Sequence, residues 1–401
     1  MSDSEIASVT PSPLLSGQRP WWDELDANFH ARPSPDFKLT GVERMQAMTA
    51  NLVDGVVRTL IASATGLLAV PLSVRPQILL RDSGERQFYK DLASAGDASQ
   101  FFRKPAAGVQ VSCQPAGPLA QQPASGEKLL LSFDSAFETV NPRLREAYSR
   151  HTRNNRAWAQ YWRHGDRPRP TICMVHGYVF DNYWVNSRFM DMPWFFEQGY
   201  DVLLYTLPFH GLRQGFLSPF PGHGYFAHGP LHINEVAAHA VHDFRVFVDW
   251  LLGQGVPQIG VTGLSLGGYT TSLLACAEER LAFAIPVIPP ASLVDVAFQW
   301  FPVGQLLRTL LWSVGVGVQD ARHTLAVSSP LTWKPVLPRE RLMLVAGMGD
   351  GLTYPKHAQL LAGHWGQPPL HWFPGGHLLH FGKQAYLKKM RKFLADIGFV
   401  P

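Results

Sequence analysis

The tightest constraint on this chain is a short run, Gly263-Leu264-Ser265-Leu266-Gly267-Gly268. It follows an apolar stretch, Gln258 to Val261, and leads into a helix-like segment, Tyr269 to Cys276. The pattern reads as strand, sharp turn, helix, with a serine at the apex. A side chain at Gly263 or Gly267 would collide across so tight a turn. Gly268 lets the following helix pack closely on the strand it leaves. A serine at such an apex takes a strained backbone and projects its hydroxyl above the sheet.

Two downstream segments extend this into a constellation. Asp350 lies in Ala346-Gly347-Met348-Gly349-Asp350-Gly351, just after the apolar run Arg341 to Val345. His377 lies in Pro374-Gly375-Gly376-His377, just after Leu370 to Phe373. The order is serine, aspartate, histidine, each in a turn after a strand. Upstream, Pro170 to Val175 reads as a buried strand ending in His176-Gly177-Tyr178.

These segments together resemble the serine-hydrolase branch of the α/β-hydrolase superfamily, over roughly residues 105 to 401. The chain order separates them from the chymotrypsin-like and subtilisin-like solutions of the same geometry. The resemblance implies an α/β fold with a mostly parallel central sheet flanked by helices. It also implies that Ser265 is the nucleophile, His377 the base and then the acid, and Asp350 the orienting carboxylate. The amides of Tyr178 and Leu266 would form the oxyanion hole. The expected chemistry is esterase- or lipase-like cleavage of a carboxylic ester through an acyl-enzyme, which calls on no metal and no organic cofactor. Thioesterase, amidase or acyltransferase chemistry on the same residues, or a non-catalytic binding protein of the same fold, are the alternatives. His380 rivals His377, and Asp295 rivals Asp350; the turn positions favour His377 and Asp350. His176 reads as a structural residue of the oxyanion turn. The segment Pro208-Phe209-His210-Gly211-Leu212-Arg213, followed by a long insertion and the G-x-S-x-G-G run, also looks like a subgroup of α/β-hydrolase-domain proteins with N-terminal extensions.

The remaining chain is read around that core. Its 401 residues, 46% hydrophobic, exceed one usual domain, so a catalytic domain over 105–401 with an N-terminal extension over 1–104 is expected. Residues 1 to about 40, with Pro11, Pro13, Trp21 and Trp22, read as an extended arm packing through its tryptophans; 41 to about 100 look helical, with a short helix at Gln87 to Ala93. Val109 to Cys113 and Lys128 to Phe133 read as strands joined by a polar loop, Pro118 to Gly126. Asn141 to His164, rich in arginine, reads as a charged helix. Further strands are expected at 170–175, 201–206, 258–261, 282–288, 341–346 and 369–373, alternating with helices as parallel βαβ units do. Two insertions shape the site, one from Pro208 to about Ile233 and a helical cap over about 289–338; the aromatic-rich cap fits an apolar pocket and, equally, ordinary core contact, since a cap helix needs an apolar underside in either case.

The net charge of +4 points away from nucleic acid, and the basic cluster Lys388 to Lys392 suits the solvent face of a final helix. Cys113, Cys173 and Cys276 are too few for a disulfide framework and fit a reducing, cytoplasmic compartment; Cys173 and Cys276 are expected as buried thiols. Met1 to Glu5 is acidic without an apolar h-region, so no secretory signal is expected. Thr59 to Val74 is apolar but shorter than the ~18 residues of a spanning helix, and predicts a buried helix rather than membrane attachment. Glu235, His239 and His242, within the histidine-rich stretch from His223, could share a helix face, but the standard zinc spacings are absent and no metal site is expected. The expected partner is a small, apolar ester.

Overall fold

A computed structural model describes residues 14–73, 75–117 and 126–401. Its centre is one sheet of nine strands: β1 (Ser112–Pro115), β2 (Glu127–Asp134), β3 (Arg156–Arg163), β4 (Thr171–Val175), β5 (Asp201–Tyr205), β6 (Ile259–Leu264), β7 (Ala284–Val287), β8 (Leu344–Gly347) and β9 (Leu370–Phe373). The spatial order is β1-β2-β3-β5-β4-β6-β7-β8-β9. The pairs β1–β2, β2–β3 and β3–β5 are antiparallel; from β5 through β9 the pairing is parallel. Every residue of β4, β5, β6, β7 and β8 is buried. That is why these strands read as continuous apolar runs: helices cover both faces of a parallel sheet. From β4 the chain moves to one side for β5 and to the other for β6, so the direction of winding reverses at β4. Open α/β sheets bind ligands at the carboxyl ends of strands beside such a reversal.

The principal helices are α1 (Gly41–Leu68), α2 (Pro76–Ala95), α3 (Pro230–Gly253), α4 (Leu266–Ala277), α5 (Leu293–Gln299), α6 (Val303–Ser313), α7 (Val318–Leu325) and α8 (Lys383–Asp396). The cap is helical as expected, with α5 to α7 lying between β7 and β8. Met390 of α8 is buried while Lys388, Lys389, Arg391 and Lys392 are exposed, so the basic cluster does lie on the solvent face. Cys173 and Cys276 are buried thiols.

Three expectations need correction. Asn141 to His164 is not one helix: short helical turns run only to Asn155, and β3 follows. Its core alternates Ala157, Trp158, Ala159, Gln160, Tyr161, Trp162, and it is sandwiched between β2 and β5. The charged residues that suggested a helix, Arg143, Arg145, Glu146 and Arg150, lie in and beside the short turns that precede the strand. The helix anticipated at Gln87 to Ala93 is the C-terminal half of α2. Finally, the apolar run from Thr59 is not a buried helix. It is the end of the surface helix α1, and Met45, Met48, Leu52, Val56, Leu60 and Leu67 stand exposed on its outer side. Only Ala47, Ala50, Asp54 and Ala62 are buried, because small side chains let the helix lie close on what it covers. The helical segment 41–73 is long and apolar enough to cross a membrane by length and composition. The ends of two other expectations, Pro11 and Pro13 of the arm and Val74, and most of the Pro118–Gly126 loop, lie outside the described residues.

The N-terminal segment shares its core with the sheet. Trp21, Trp22, Phe29 and Tyr89 belong to the same buried cluster as Leu131, Cys173 and Val261. Trp21 donates its indole N–H to Thr332 Oγ1 at 2.9 Å, and Trp22 stacks on His323 of α7. The arm therefore packs through its tryptophans, onto the cap.

Candidate active site

At the end of β6 the chain turns at Ser265 with φ 57° and ψ −117°, and α4 begins on the next residue. Such a φ is costly for a residue with a Cβ, and the turn is held by its flanks. A Cβ on Gly263 would lie 2.3 Å from Gly267 O, and one on Gly267 would lie 2.0 Å from Val175 O. Neither position admits any other residue. Leu266 is the first residue of α4, so its N–H has no partner within the helix. The loop after β4 brings Gly177 and Tyr178 alongside: a Cβ on Gly177 would touch Ser265 Cβ at 3.4 Å. His176 is buried beneath this loop. Its Nδ1 lies 2.8 Å from Gly177 O and its Nε2 accepts from Leu207 N–H at 3.1 Å, so both ring nitrogens are spent on backbone.

The turns after β8 and β9 bring Asp350 and His377 together. His377 Nδ1 is 2.8 Å from Asp350 Oδ2 and 3.1 Å from Oδ1. Asp350 Oδ1 also accepts the N–H groups of Leu352 at 2.9 Å and Thr353 at 2.7 Å. An ionised carboxylate only accepts, so Nδ1 carries the proton and the lone pair of the neutral ring is on Nε2. Burial pushes His377 towards its neutral form. The charge and hydrogen bond of Asp350, with Asp54 behind, more than offset this and raise its pKa above the ordinary histidine value.

Ser265 and His377 line one cavity, together with Tyr178, Leu352, Leu378, Trp300 of the cap and Ile61 of α1. The cavity is narrow, about 40 Å³. Among the described residues no hydrogen bond joins the Ser265 hydroxyl to the His377 ring. Such pairs are commonly loose before substrate arrives. The two rivals point elsewhere. His380 is engaged at Nδ1 by Tyr386 Oη and at Nε2 by His377 O, and burial pushes its pKa down to about 3. Asp295 forms a buried ion pair with Arg322 at 2.6 Å.

The helix face proposed for Glu235, His239 and His242 is internally satisfied. Glu235 accepts from Val140 N–H at 2.7 Å, Asn141 N–H at 2.9 Å and the Tyr89 hydroxyl, and both histidines contact Asp243. A different trio, His151, His228 and His232, brings one ring nitrogen each within 4.8 Å of the others.

One residue of the site was not singled out from the sequence. Asp54 of α1 accepts backbone N–H groups from Gly351, His377 and Leu378. The only local signal is that it is the lone acid between Glu43 and Asp82.

Comparison with known proteins agrees with this fold. The family model described as alpha/beta hydrolase domain containing 18 matches residues 128–316. Two uncharacterized proteins of Mycobacterium tuberculosis, MT2702 and Rv2627c, are each 32% identical over 286 residues, which cover 67% of this chain and 64% of theirs. This chain thus spans somewhat under two thirds of those relatives. Among solved structures, acetyl xylan esterase 1 of a Thermoanaerobacterium species superposes with a TM-score of 0.51 at 15% identity, covering 78% of this chain and 93% of the esterase. The acetyl xylan esterase of Paenibacillus sp. R4 gives 0.51 at 16%, covering 78% and 94%. At that identity the likeness shows the fold.

Proposed function

We propose that this member of the α/β-hydrolase superfamily is a serine hydrolase that cleaves carboxylic esters of small apolar acids through an acyl-enzyme. The observation that carries the reading is that a strained serine and a carboxylate-paired histidine, brought from three separate strand ends, face one apolar cavity.

A serine hydroxyl is a weak nucleophile without a base. In this reading His377 Nε2 takes the Ser265 proton as the hydroxyl attacks the ester carbonyl. Asp350 holds the ring in the tautomer that leaves Nε2 free, and stabilises the imidazolium that forms. The oxyanion settles against the amides of Leu266 and Tyr178, each worth about 3 kcal/mol in a comparable site. His377 then returns the proton to the departing alcohol, and water cleaves the acyl-enzyme by the same steps in reverse roles. Nucleophile, base and oxyanion donors all come from the chain itself. Phe180, Phe189, Leu352 and Trp300 line the cavity and favour an apolar acyl group. At about 40 Å³ the space is on the order of three waters, which suits a short acid better than a fatty one.

A fluorophosphonate probe tests the reading directly. Wild-type protein should be labelled once, at Ser265, and Ser265→Ala should not be labelled. Folded wild-type protein that stays unlabelled, or a Ser265→Ala variant that labels equally, excludes the enzyme. A p-nitrophenyl ester series should then show turnover falling as the acyl chain lengthens beyond a few carbons; a flat series would remove the defined acyl pocket.

A further inference from the structure

We infer that Asp54, on the N-terminal helix α1, is a positioning residue of this site: its carboxylate holds the turn bearing Asp350 and the turn bearing His377 in a single register. The inference rests on the serine-hydrolase reading and deepens it.

Asp54 is fully buried. Its Oδ2 accepts the N–H of Gly351 at 3.0 Å and of His377 at 2.6 Å, and its Oδ1 accepts the N–H of Leu378 at 3.1 Å. The two turns it joins follow different strands, so one side chain ties together the residues adjoining both members of the His–Asp pair. One turn further along α1, Arg58 donates to Gly351 O at 2.6 Å and to the Tyr354 hydroxyl at 2.7 Å. The helix thus grips Gly351 by its N–H through Asp54 and by its C=O through Arg58.

The closeness of the fit shows that the helix belongs to the site. A Cβ on Gly349 would lie 2.2 Å from Ala47 O, and a Cβ on Gly376 would lie 2.3 Å from Asp54 Oδ2. Both catalytic turns carry glycine where α1 lies against them, and α1 buries alanines there.

The residue type also points to more than packing. Burying a carboxylate is expensive, and burial raises the pKa of Asp54, with the charge of Asp350 adding to it. Three converging donors need a group that only accepts, which a carboxylate is and an amide is not. The titratable and charged groups around Asp54 are Asp350 on one turn, His377 and His380 on the other, and Arg58 on its own helix. Any negative charge on Asp54 also favours the imidazolium of His377. A residue with only a structural role would not alter the basicity of the catalytic histidine.

The test compares wild type with Asp54→Asn in the full chain, following the rate of fluorophosphonate labelling of Ser265 against pH, with thermal unfolding in parallel. Labelling of the wild type tests the serine-hydrolase reading independently. Given that labelling, the variant should react about 10²-fold more slowly, the scale of a roughly 1 Å displacement in an active site. Its acidic limb should move to lower pH, because removing a nearby negative charge makes His377 easier to deprotonate. A rate within twofold of wild type, or a slowed rate with an unmoved limb, overturns the inference. If the variant does not fold, amide hydrogen exchange of the wild type decides: the amides of Gly351, His377 and Leu378 should be protected together, and free exchange at any of them overturns the inference.

Discussion

Among the described residues two Ser–His–Asp groups invite comparison, and they use the histidine nitrogens differently. In the first, Asp350 engages His377 at Nδ1, and His377 and Ser265 line one cavity. In the second, Ser135 Oγ lies 3.1 Å from His239 Nε2, and Asp243 Oδ2 lies 2.9 Å from that same nitrogen. Ser135 also donates straight to Asp243 at 2.5 Å, and His239 Nδ1 is occupied by the Tyr148 hydroxyl at 2.9 Å. Arg213, fully buried, closes the group with a 2.7 Å ion pair to Asp243. A proton relay needs the two ring nitrogens to divide the work, one to the acid and one to the hydroxyl. His239 presents one nitrogen to both. The electrostatics part in the same way. Burial pushes His239 down to about 4 despite Asp243, whereas the carboxylates around His377 outweigh burial and hold it above its ordinary value. Residue identity and proximity are therefore insufficient: the assignment of each ring nitrogen, and access to the free one, distinguish a site from a structural knot.

The comparison can be broken most sharply at the serines. Ser265→Ala should lower kcat on p-nitrophenyl acetate by on the order of 10⁶-fold, the cost of the equivalent change in a related triad. Ser135→Ala should leave kcat within about twofold, since it removes part-buried hydrogen bonds to His239 and Asp243, each worth ~1 kcal/mol to stability. Comparable losses at the two serines would end the distinction. The aspartates come next. Asp350→Asn should cost about 10⁴-fold in kcat through the wrong imidazole tautomer. Asp243→Asn should instead leave kcat per folded molecule unchanged and cost about 3–5 kcal/mol in urea unfolding, because it strands the buried Arg213 charge.

The pH profile separates the histidines. His377 must be neutral to act as base, so kcat/KM should be lost as pH falls through its raised pKa, which lies above 6.5. Its contribution to stability has the opposite sign. A raised histidine pKa stabilises the fold fully below the unfolded value, and that stabilisation is lost as pH rises through the folded one. His239 should contribute no limb near neutrality; a profile with its acidic limb near 4 would assign the base to the wrong cluster. The smallest effect belongs to Tyr148→Phe, which should lower stability by ~1 kcal/mol by thermal unfolding and leave kcat unaltered.

The elements that were legible in the sequence are those whose reason is local. The Ser265 turn declares itself because Gly263 and Gly267 are sterically required within five residues of chain. Asp350 and His377 were legible because each sits in a glycine-rich turn after a short apolar strand. β3 was misread because the charged turns before it, with Arg143, Arg145, Glu146 and Arg150, were extended into it, and what makes it a strand is its pairing with β2 and β5. The fate of α1 was misread because composition reports how apolar a helix is and not which side is covered.

By itself, the sequence determined an α/β sheet and the three turns that carry Ser265, Asp350 and His377. Backbone sterics and strand periodicity act over a few residues and leave their mark in the order of residue types. Only the tertiary structure decided that Asp54, from a helix outside the sheet, joins two of those turns, and that Ser135, His239 and Asp243 lock one another instead of reacting. Those outcomes depend on hydrogen bonds between groups far apart in the chain, many of them backbone amides that every residue carries, and no pattern of side chains records where such donors will converge.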